Sequence, residues 1–542
     1  MSSIPPDDPP PRPGWAASLY SVAALQPLGV PVFRLLWGTW LTANLCMWMN
    51  DVAAAWTMTT LTSKPIWVAL VQSASTLPVF LLGLPSGALA DILDRRRWLV
   101  ATQFGLAATA VALCAVTVSG YMTASWLLVL VFANGIGLAL RLPVFAAIVP
   151  ELVPRTQLPA ALALNGVAMN LSRIGGPLLA GAIIASAGSA WVFALSACLS
   201  LLSGFLVLRW RYEHVPNPLG KERLASAIRV GVQYVRQSPR MRAVLLRVSV
   251  FFLHSMALLG LLPLVARGLP GGDAGTFTLL LASMGSGAIL AVLGLPRLRQ
   301  RFGRDELVVG GAVVQSAAAA VVAIAPNAWV AVLGMVAAGM AWITVANTLS
   351  VSAQMSLPNW VRARAMASFQ MAIMGSGALG AALWGQVATV ATIRTALLCA
   401  AVSEIVLMLL VVRLVRDHAD EEADMSPAQA GWAARPSEEP QEDGRVVTTI
   451  EYLIDPVREN AFVRVMQETR RARLSEGAIG WELLHDIAEP ARFVEEIVDE
   501  SWTERLRRFH RATEADIALR ERRLAFHQGT EPPAVTRYVI RR

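Results

Sequence analysis

Cysteine and charge are the two things this 542-residue chain has least of. Its four cysteines, Cys46, Cys114, Cys198 and Cys399, stand singly in separate apolar segments. That pattern has neither the pairing of a disulfide framework nor the spacing of a metal site, so they read as helix filler. Charged residues make up 15% of the chain against 55% hydrophobic, with a mean hydropathy of +0.51, too apolar for a soluble protein of ordinary composition. There is no GxxxxGK[ST] run, so an ATP-driven cycle within this chain is not expected. The proline-rich start, with Asp7 and Asp8, lacks the basic-then-apolar layout of a cleaved signal peptide. The composition is that of a membrane protein.

The net charge of +8 hides three unlike pieces. Residues 1–416 hold about 28 basic and 12 acidic groups, residues 417–444 about 1 and 9, and residues 445–542 about 17 and 17. The first piece is charge-poor, the second is acidic with Pro427, Pro436 and Pro440, and the third has the charge density of a soluble domain. The basic excess lies among apolar segments, which excludes a nucleic-acid partner as the reading of the pI of 9.8. The acidic stretch has too few apolar groups to fold and reads as a tether.

A helix crosses a bilayer core of about 30 Å in about 20 apolar residues. Twelve segments qualify, at about 33–60, 66–90, 98–119, 124–149, 160–187, 190–210, 242–266, 274–296, 306–325, 328–356, 363–389 and 393–415. The long hydrophilic gap from Arg209 to about Arg242 divides them six and six. Alternate loops carry the arginines: Arg95, Arg96 and Arg97; Arg155; Arg209 to Arg240; Arg297 to Arg304; Arg362 and Arg364; Arg413 and Arg416. The intervening loops hold little beyond Lys64, Arg267 and Arg394. Because Lys and Arg resist translocation, both termini and the central loop are expected in the cytoplasm. Within that loop, Leu219–Val235 places Leu224, Ile228 and Val232 at helical spacing among cationic residues. Two readings stand, a helix on the inner leaflet and a helical linker packed on the bundle. The expected layout is a tail at 1–30, halves at 31–210 and 242–416 joined by 211–241, the tether at 417–444 and a small domain at 445–542.

Gly87-Ala-Leu-Ala-Asp91-Ile-Leu-Asp-Arg95-Arg96-Arg97-Trp-Leu99 resembles the major facilitator superfamily signature G-x-L-A-D-R-x-G-R-R-x-x-L, departing from it at Ile92 and Asp94. Arg297–Arg304 occupies the same place in the second half, and Pro150–Arg155 is matched by Leu357–Arg364, as in transporters built from repeats. Pro31-Val-Phe-Arg34, Trp48–Trp56 and Val149–Asn165 are similar to the secretion-effector branch that includes enterobactin-exporter-like proteins. The resemblance implies an all-α membrane fold of twelve helices in two halves, with Gly87, Asp91, Arg95 and Arg96 as a gating latch. Ile92 stands where the signature has an arginine, so that position supplies no charge to the latch. Gly176, Pro177 and Gly181 partly resemble the glycine-proline hinge motif of facilitator antiporters.

Polar groups inside a membrane are expensive and are functional candidates by default. Asp51, about eighteen residues into the first helix and beside Asn50, reads either as a carrier of a coupling proton, since the resemblance lines the cavity with the first, fourth, seventh and tenth helices, or as a solvated residue at the mouth. Arg173 shares the fifth helix with Asn165 and Asn170. It is expected to bind an anionic group, to pair with Asp51, or to tie neighbouring carbonyls. His254 either titrates or packs beside Phe251 and Phe252; Arg141 is expected to snorkel; Glu404 has no sequence-level account. The tenth helix carries Trp342, Thr344, Asn347, Ser350 and Gln354, a polar edge expected to face the pathway.

Beyond the tether, Val446–Ile454, Ala478–Leu484, Arg492–Val498 and Ala534–Ile540 alternate like strands. Asp455-Pro456 opens one helix, and Ser501-Trp-Thr-Glu504 caps a second, long one to about Phe526. The order βαββαβ predicts a small α+β ferredoxin-like domain. It resembles dimeric α/β-barrel proteins of the antibiotic-biosynthesis-monooxygenase type, which implies pairing of two copies through their sheets. His485, His510 and His527 with Trp481 and Trp502 could line a pocket there, although no nucleophile or metal arrangement supports chemistry. The expected function is secondary transport in a bacterial inner membrane: export of a hydrophobic or siderophore-like small molecule against protons, without a cofactor. A membrane-anchored monooxygenase-like enzyme or ligand sensor is the alternative.

Overall fold

A computed structural model describes residues 25–92, 94–154, 156–210, 224–358, 360–415 and 444–541. Residues 1–24 of the expected N-terminal tail, the first part of the linker and residues 417–443 of the acidic tether fall outside these residues; the end of the tail is described and forms a 3-10 turn at Gln26–Gly29. Among the described residues, the first half holds α1 (Pro31–Leu61), α2 (Pro65–Ile92), α3 (Arg95–Val118), α4 (Ala124–Leu152), α5 (Leu158–Ala187) and α6 (Ser189–Leu208). After α7 (Leu224–Gln237), the second half holds α8 (Pro239–Gly268), α9 (Ala274–Arg301), α10 (Arg304–Ile324), α11 (Ala328–Met355), α12 (Arg362–Val390) and α13 (Ile393–Leu414). Eleven of the twelve long helices are long and apolar enough to span a membrane. The exception is α1, whose length suffices but whose tryptophans, threonines, asparagines and Asp51 lower its hydropathy.

The two halves pack alike. α1 lies against α5 and α6 as α8 does against α12 and α13, while α2·α4 and α3·α6 have counterparts in α9·α11 and α10·α13. Close approach is permitted at matching glycines. A Cβ on Gly135 of α4 would sit 2.7 Å from the Ser75 carbonyl of α2, and one on Gly339 of α11 would sit 1.9 Å from the Met284 carbonyl of α9. Small residues let helices meet where no hydrophobic force distinguishes protein from lipid. Two equivalent seams join the halves, α2 against α12 and α5 against α9.

At the end away from the arginine-rich loops, Arg267 of α8 donates to the Thr59 carbonyl and lies 5.1 Å from the Trp56 ring centroid. The Ile66 amide donates to Thr389 Oγ1 at 3.0 Å, and Ser73 Oγ donates to the Ala378 carbonyl at 2.7 Å. At the arginine-rich end each half makes its own ties. Asp94 caps α3 by accepting from the Arg97 amide at 2.9 Å, and Arg247 of α8 grips Asp305 through two nitrogens, at 2.7 and 3.1 Å.

On helix α7, Val230, Tyr234 and Val235 are buried, whereas Val232, which the sequence places on one face with Ile228, is 37% exposed; the side chain of Leu224 lies outside the described residues. The buried face is clasped from two sides. Tyr234 donates to the Ser356 carbonyl at 3.0 Å and meets Trp360 edge-on, while Gln233 donates to the Ala478 carbonyl of the C-terminal domain at 2.7 Å. The packed-linker reading therefore describes this face, and Ile228, Val232, Arg229, Arg236 and Arg242 border an open groove on the other.

The C-terminal domain contains β1 (Val446–Leu453), α14 (Glu459–Glu476), β2 (Gly480–His485), β3 (Arg492–Asp499), α15 (Trp502–His510), α16 (Glu514–Leu524) and β4 (Val535–Val539). Its strands are all antiparallel in the order β2-β3-β1-β4, the ferredoxin-like arrangement. Alternation puts Tyr452, Phe493 and Ile497 against the helices, where Phe462 and Met466 of α14 complete the core. Asp455 caps as expected, accepting from the Val457 amide at 3.0 Å. The single long helix expected from Ser501 to Phe526 is instead two. Thr513 and Asp516 form a second capping box, with the Thr513 amide donating to Asp516 Oδ2 at 2.8 Å, so a new helix starts where the sequence reading ran one through.

Candidate functional site

Near the middle of the membrane half, Arg173 of α5 lies between two tryptophans. Its guanidinium carbon is 6.0 Å from the centroid of Trp48, on α1 of its own half, and 5.4 Å from that of Trp342, on α11 of the other half. Gly176, one turn along α5, brings the backbones together, since a Cβ there would lie 2.5 Å from Trp48 Cβ. Trp342 is braced by Phe252 of α8, edge-on at 4.7 Å. Cation–π contact suits a guanidinium, which is planar and weakly hydrated. The sequence reading placed Arg173 and Trp342 on candidate helices but did not join them, because no local spacing relates α5 to α11.

Asp51 does not pair with Arg173. It accepts from Ser75 Oγ of α2 at 3.2 Å, and among the described residues that hydroxyl is its hydrogen-bond partner. Asn50 is buried with its carbonyl oxygen unpaired. Asn165 likewise keeps a buried carbonyl oxygen unpaired, and Asn170, exposed, donates back to the Gly166 carbonyl at 3.0 Å.

His254 is buried and its Nδ1 is 2.7 Å from the Val250 carbonyl, with the ring against Trp384. This is the packing arrangement of a core histidine. On α11, Thr344 bonds back to the Met340 carbonyl, Asn347 accepts from Arg299 Nη2 of α9 at 2.7 Å, and Gln354 donates to Ser350 Oγ at 3.2 Å. The expected polar edge is thus partly spent on tying α11 to α9.

Arg141 corrects another expectation. Instead of snorkelling to the cytoplasmic surface it is 3% exposed and lies 5.2 Å from the centroid of Trp40, itself stacked on Phe145. Glu404 now has a neighbour: buried on α13, it accepts from Ser316 Oγ of α10 at 3.0 Å.

The signature residues Gly87 and Asp91 fall in α2, but their side-chain surroundings lie outside the described residues. Arg96 donates to the Leu208 carbonyl, tying α3 to α6, and Arg95 is engaged as well. Pro177 sits inside α5. A Cβ on Gly181 would run into Thr278 of α9, so the glycine-proline run forms part of the seam between the halves.

In the C-terminal domain the expected pocket residues are dispersed. His485 stacks on Phe493 with ring centroids 4.2 Å apart, His527 accepts from the Leu453 amide, and Trp481 donates to Glu495; the His510 side chain lies outside the described residues. The interior holds a charge network that the sequence reading missed. Glu495, fully buried, accepts from Tyr452 at 3.0 Å, from Trp481 at 3.0 Å and from Arg473 at 3.2 Å. Burial works to raise its pKa, but Arg473, Arg523 and these hydrogen bonds outweigh it and hold the group below the ordinary value. Asp499 receives a two-pronged bond from Arg508 at 2.9 and 3.0 Å. Glu476 differs: burial, then the charge of Asp516, push it up to about 7 against the pull of Arg473, Arg508 and Arg523.

Among proteins of known identity, the staphyloferrin A transporter of Staphylococcus aureus is 23% identical over 257 residues, covering 47% of this chain and 64% of that protein. YfiS of Bacillus subtilis, an uncharacterised MFS-type transporter, is 29% identical over 193 residues, covering 35% and 45%. The chain thus aligns with less than two thirds of the length of either relative. Among solved structures, the nucleoside transporter NupG superposes with a TM-score of 0.56 at 16% identity, over 71% of this chain and 99% of that one, a likeness of fold. The description "transmembrane secretion effector" belongs to a family whose pattern matches residues 22–542, membrane half and C-terminal domain together. The chain is a member of the transmembrane secretion effector family of MFS-type membrane transporters.

Proposed function

We propose that this transporter exports an amphipathic, siderophore-like small molecule from the cytoplasm in exchange for protons, by alternating access across a bacterial inner membrane. The observation that carries this reading is Asp51: a mid-helix carboxyl held by one hydroxyl, Ser75, in a chain whose two halves repeat one packing scheme. Such a carboxyl can take up and release a proton without breaking an ion pair, and paired halves around a midplane site are the architecture of alternating access. The staphyloferrin A transporter among the relatives supports the siderophore-like substrate class. Basic residues in alternate loops favour cytoplasmic termini.

The halves at 31–210 and 242–416 would rock about the α2·α12 and α5·α9 seams, with Gly176, Pro177 and Gly181 as the hinge and Gly87, Asp91, Arg95 and Arg96 as the latch. Asn50, Asn165, Asn170, His254, Asn347 and Gln354 are secondary to Asp51 in this reading, because each carries no charge or is held by packing or a local bond. The C-terminal domain, docked on α7, reports on the linker between the halves. Its half-exposed outer sheet face, with Val447, Val494 and Val498, suits pairing with a second copy.

Expression in an efflux-deficient host tests the reading. Cells carrying the chain should accumulate less of at least one compound in an amphipathic and siderophore panel, and a protonophore should abolish the difference. Accumulation that rises on expression would replace export by uptake.

A further inference from the structure

Arg173 is an unusual charge for its place. It sits near mid-membrane, where an ionised side chain is costly unless paired, yet its contacts are the faces of Trp48 and Trp342. The carboxylates the sequence offers inside the membrane half's helices away from their ends are Asp51 and Glu404, and these are bonded to Ser75 and Ser316. Two ring faces stabilise the positive charge but accept none of the five guanidinium N–H donors in the way an oxygen does. The indole N–H of Trp48, buried, also meets no acceptor among the described residues. The Arg173 guanidinium and the Trp48 indole N–H are therefore donors with no hydrogen-bond acceptor among the described residues. It is also walled by flat apolar surface drawn from both halves, since Trp342 belongs to the second and Arg173 and Trp48 to the first.

We infer that Arg173, Trp48 and Trp342 form the substrate's recognition site, and that the substrate carries an anionic oxygen group, a carboxylate in the simplest case, beside a planar or apolar body. The carboxylate would take the guanidinium donors in a charge-assisted, two-pronged bond, and the body would lie on the indole faces. A cation is disfavoured here by repulsion from Arg173, and a neutral molecule would leave its donors unmet. Because the tryptophans come from opposite halves, a ligand between them would be felt by both, as a midplane transport site requires. This inference deepens the transporter reading above and rests on it.

Charge-matched probes test it. Equilibrium binding of 2-naphthoate and of its neutral isostere 2-naphthamide is measured on the full chain in phosphatidylcholine nanodiscs. The native chain should prefer the carboxylate by tenfold or more. Arg173→Gln should erase that preference, Arg173→Lys should keep part of it, and Trp342→Ala should weaken both probes together. The Lys variant, which preserves the charge, guards against simple misfolding. No preference in the native chain, or a preference that survives Arg173→Gln, overturns the inference. Proton-driven export of a neutral compound alongside either result would sink the anion site while leaving the transporter reading intact. Arg173-dependent naphthoate binding without proton-driven movement of any compound would do the reverse.

Discussion

The membrane half and the C-terminal domain bury charge in opposite ways. In the membrane half, away from the arginine-rich end where Arg247 grips Asp305, four charges are held without an ion pair: Asp51 by a hydroxyl, Arg173 by two indole faces, Arg141 by a third, Glu404 by a serine. In the domain they are networked, with Glu495 receiving three donors and Asp499 a two-pronged arginine. A networked charge is committed to the fold, because removing one partner strands the other in low dielectric. A singly held charge can change its state or partner with little reorganisation, which is what transport asks of it.

The contrast can be broken at several strengths. Arg508→Ala strands Asp499 and should cost the domain about 3–5 kcal/mol, read as lost protection of β3 amides in hydrogen exchange; a loss under about 1 kcal/mol would mean the network is ornamental. Next in size, Trp360→Ala removes the ring that meets Tyr234 edge-on and lies 5.1 Å beneath Arg511. It should weaken docking of the domain on α7 by about 1–2 kcal/mol and speed proteolysis in the tether. Unchanged cleavage would detach the domain from that contact.

Glu476 gives the pH dependence. Its carboxyl is raised from 4.5 to about 7 in the folded domain, so the folded state holds its proton more tightly than the unfolded chain does. The stability this contributes is full below about pH 4.5 and is lost as pH rises through about 7. Hydrogen exchange in α14 should therefore be better protected at pH 5 than at pH 8, and Glu476→Gln should flatten that difference. A difference that persists in the variant would assign it to other groups. Smallest of all, Glu404→Gln keeps the acceptor for Ser316 and should shift thermal stability by about 1 kcal/mol or less. A larger loss would place Glu404 among the committed charges.

The helices of the membrane half were legible because each must satisfy its own backbone over some twenty residues, and that requirement writes a long apolar run into the sequence. The strands of the domain were legible by alternation, down to Asp455 as a cap. Partners across helices were not. Nothing near Arg173 in sequence names Trp342, and nothing near Asp51 names Ser75, because residues brought together by helix packing leave no local period. Which face of α7 packs on the protein was not legible for the same reason: the spacing of Leu224, Ile228 and Val232 marks one apolar face, and the tertiary contacts of Tyr234 with Ser356 and Trp360 bury another. The break before Thr513 was written locally, in a second capping box overlooked inside an apparently continuous helix.

The central claim is that a singly held carboxyl couples transport to protons. Its most direct test is Asp51→Asn in proteoliposomes with an imposed pH gradient, using a compound found in the accumulation panel. The account predicts that gradient-driven accumulation disappears in the variant while exchange of the compound down its own gradient continues. Gradient-driven transport at the native rate in Asp51→Asn would contradict it.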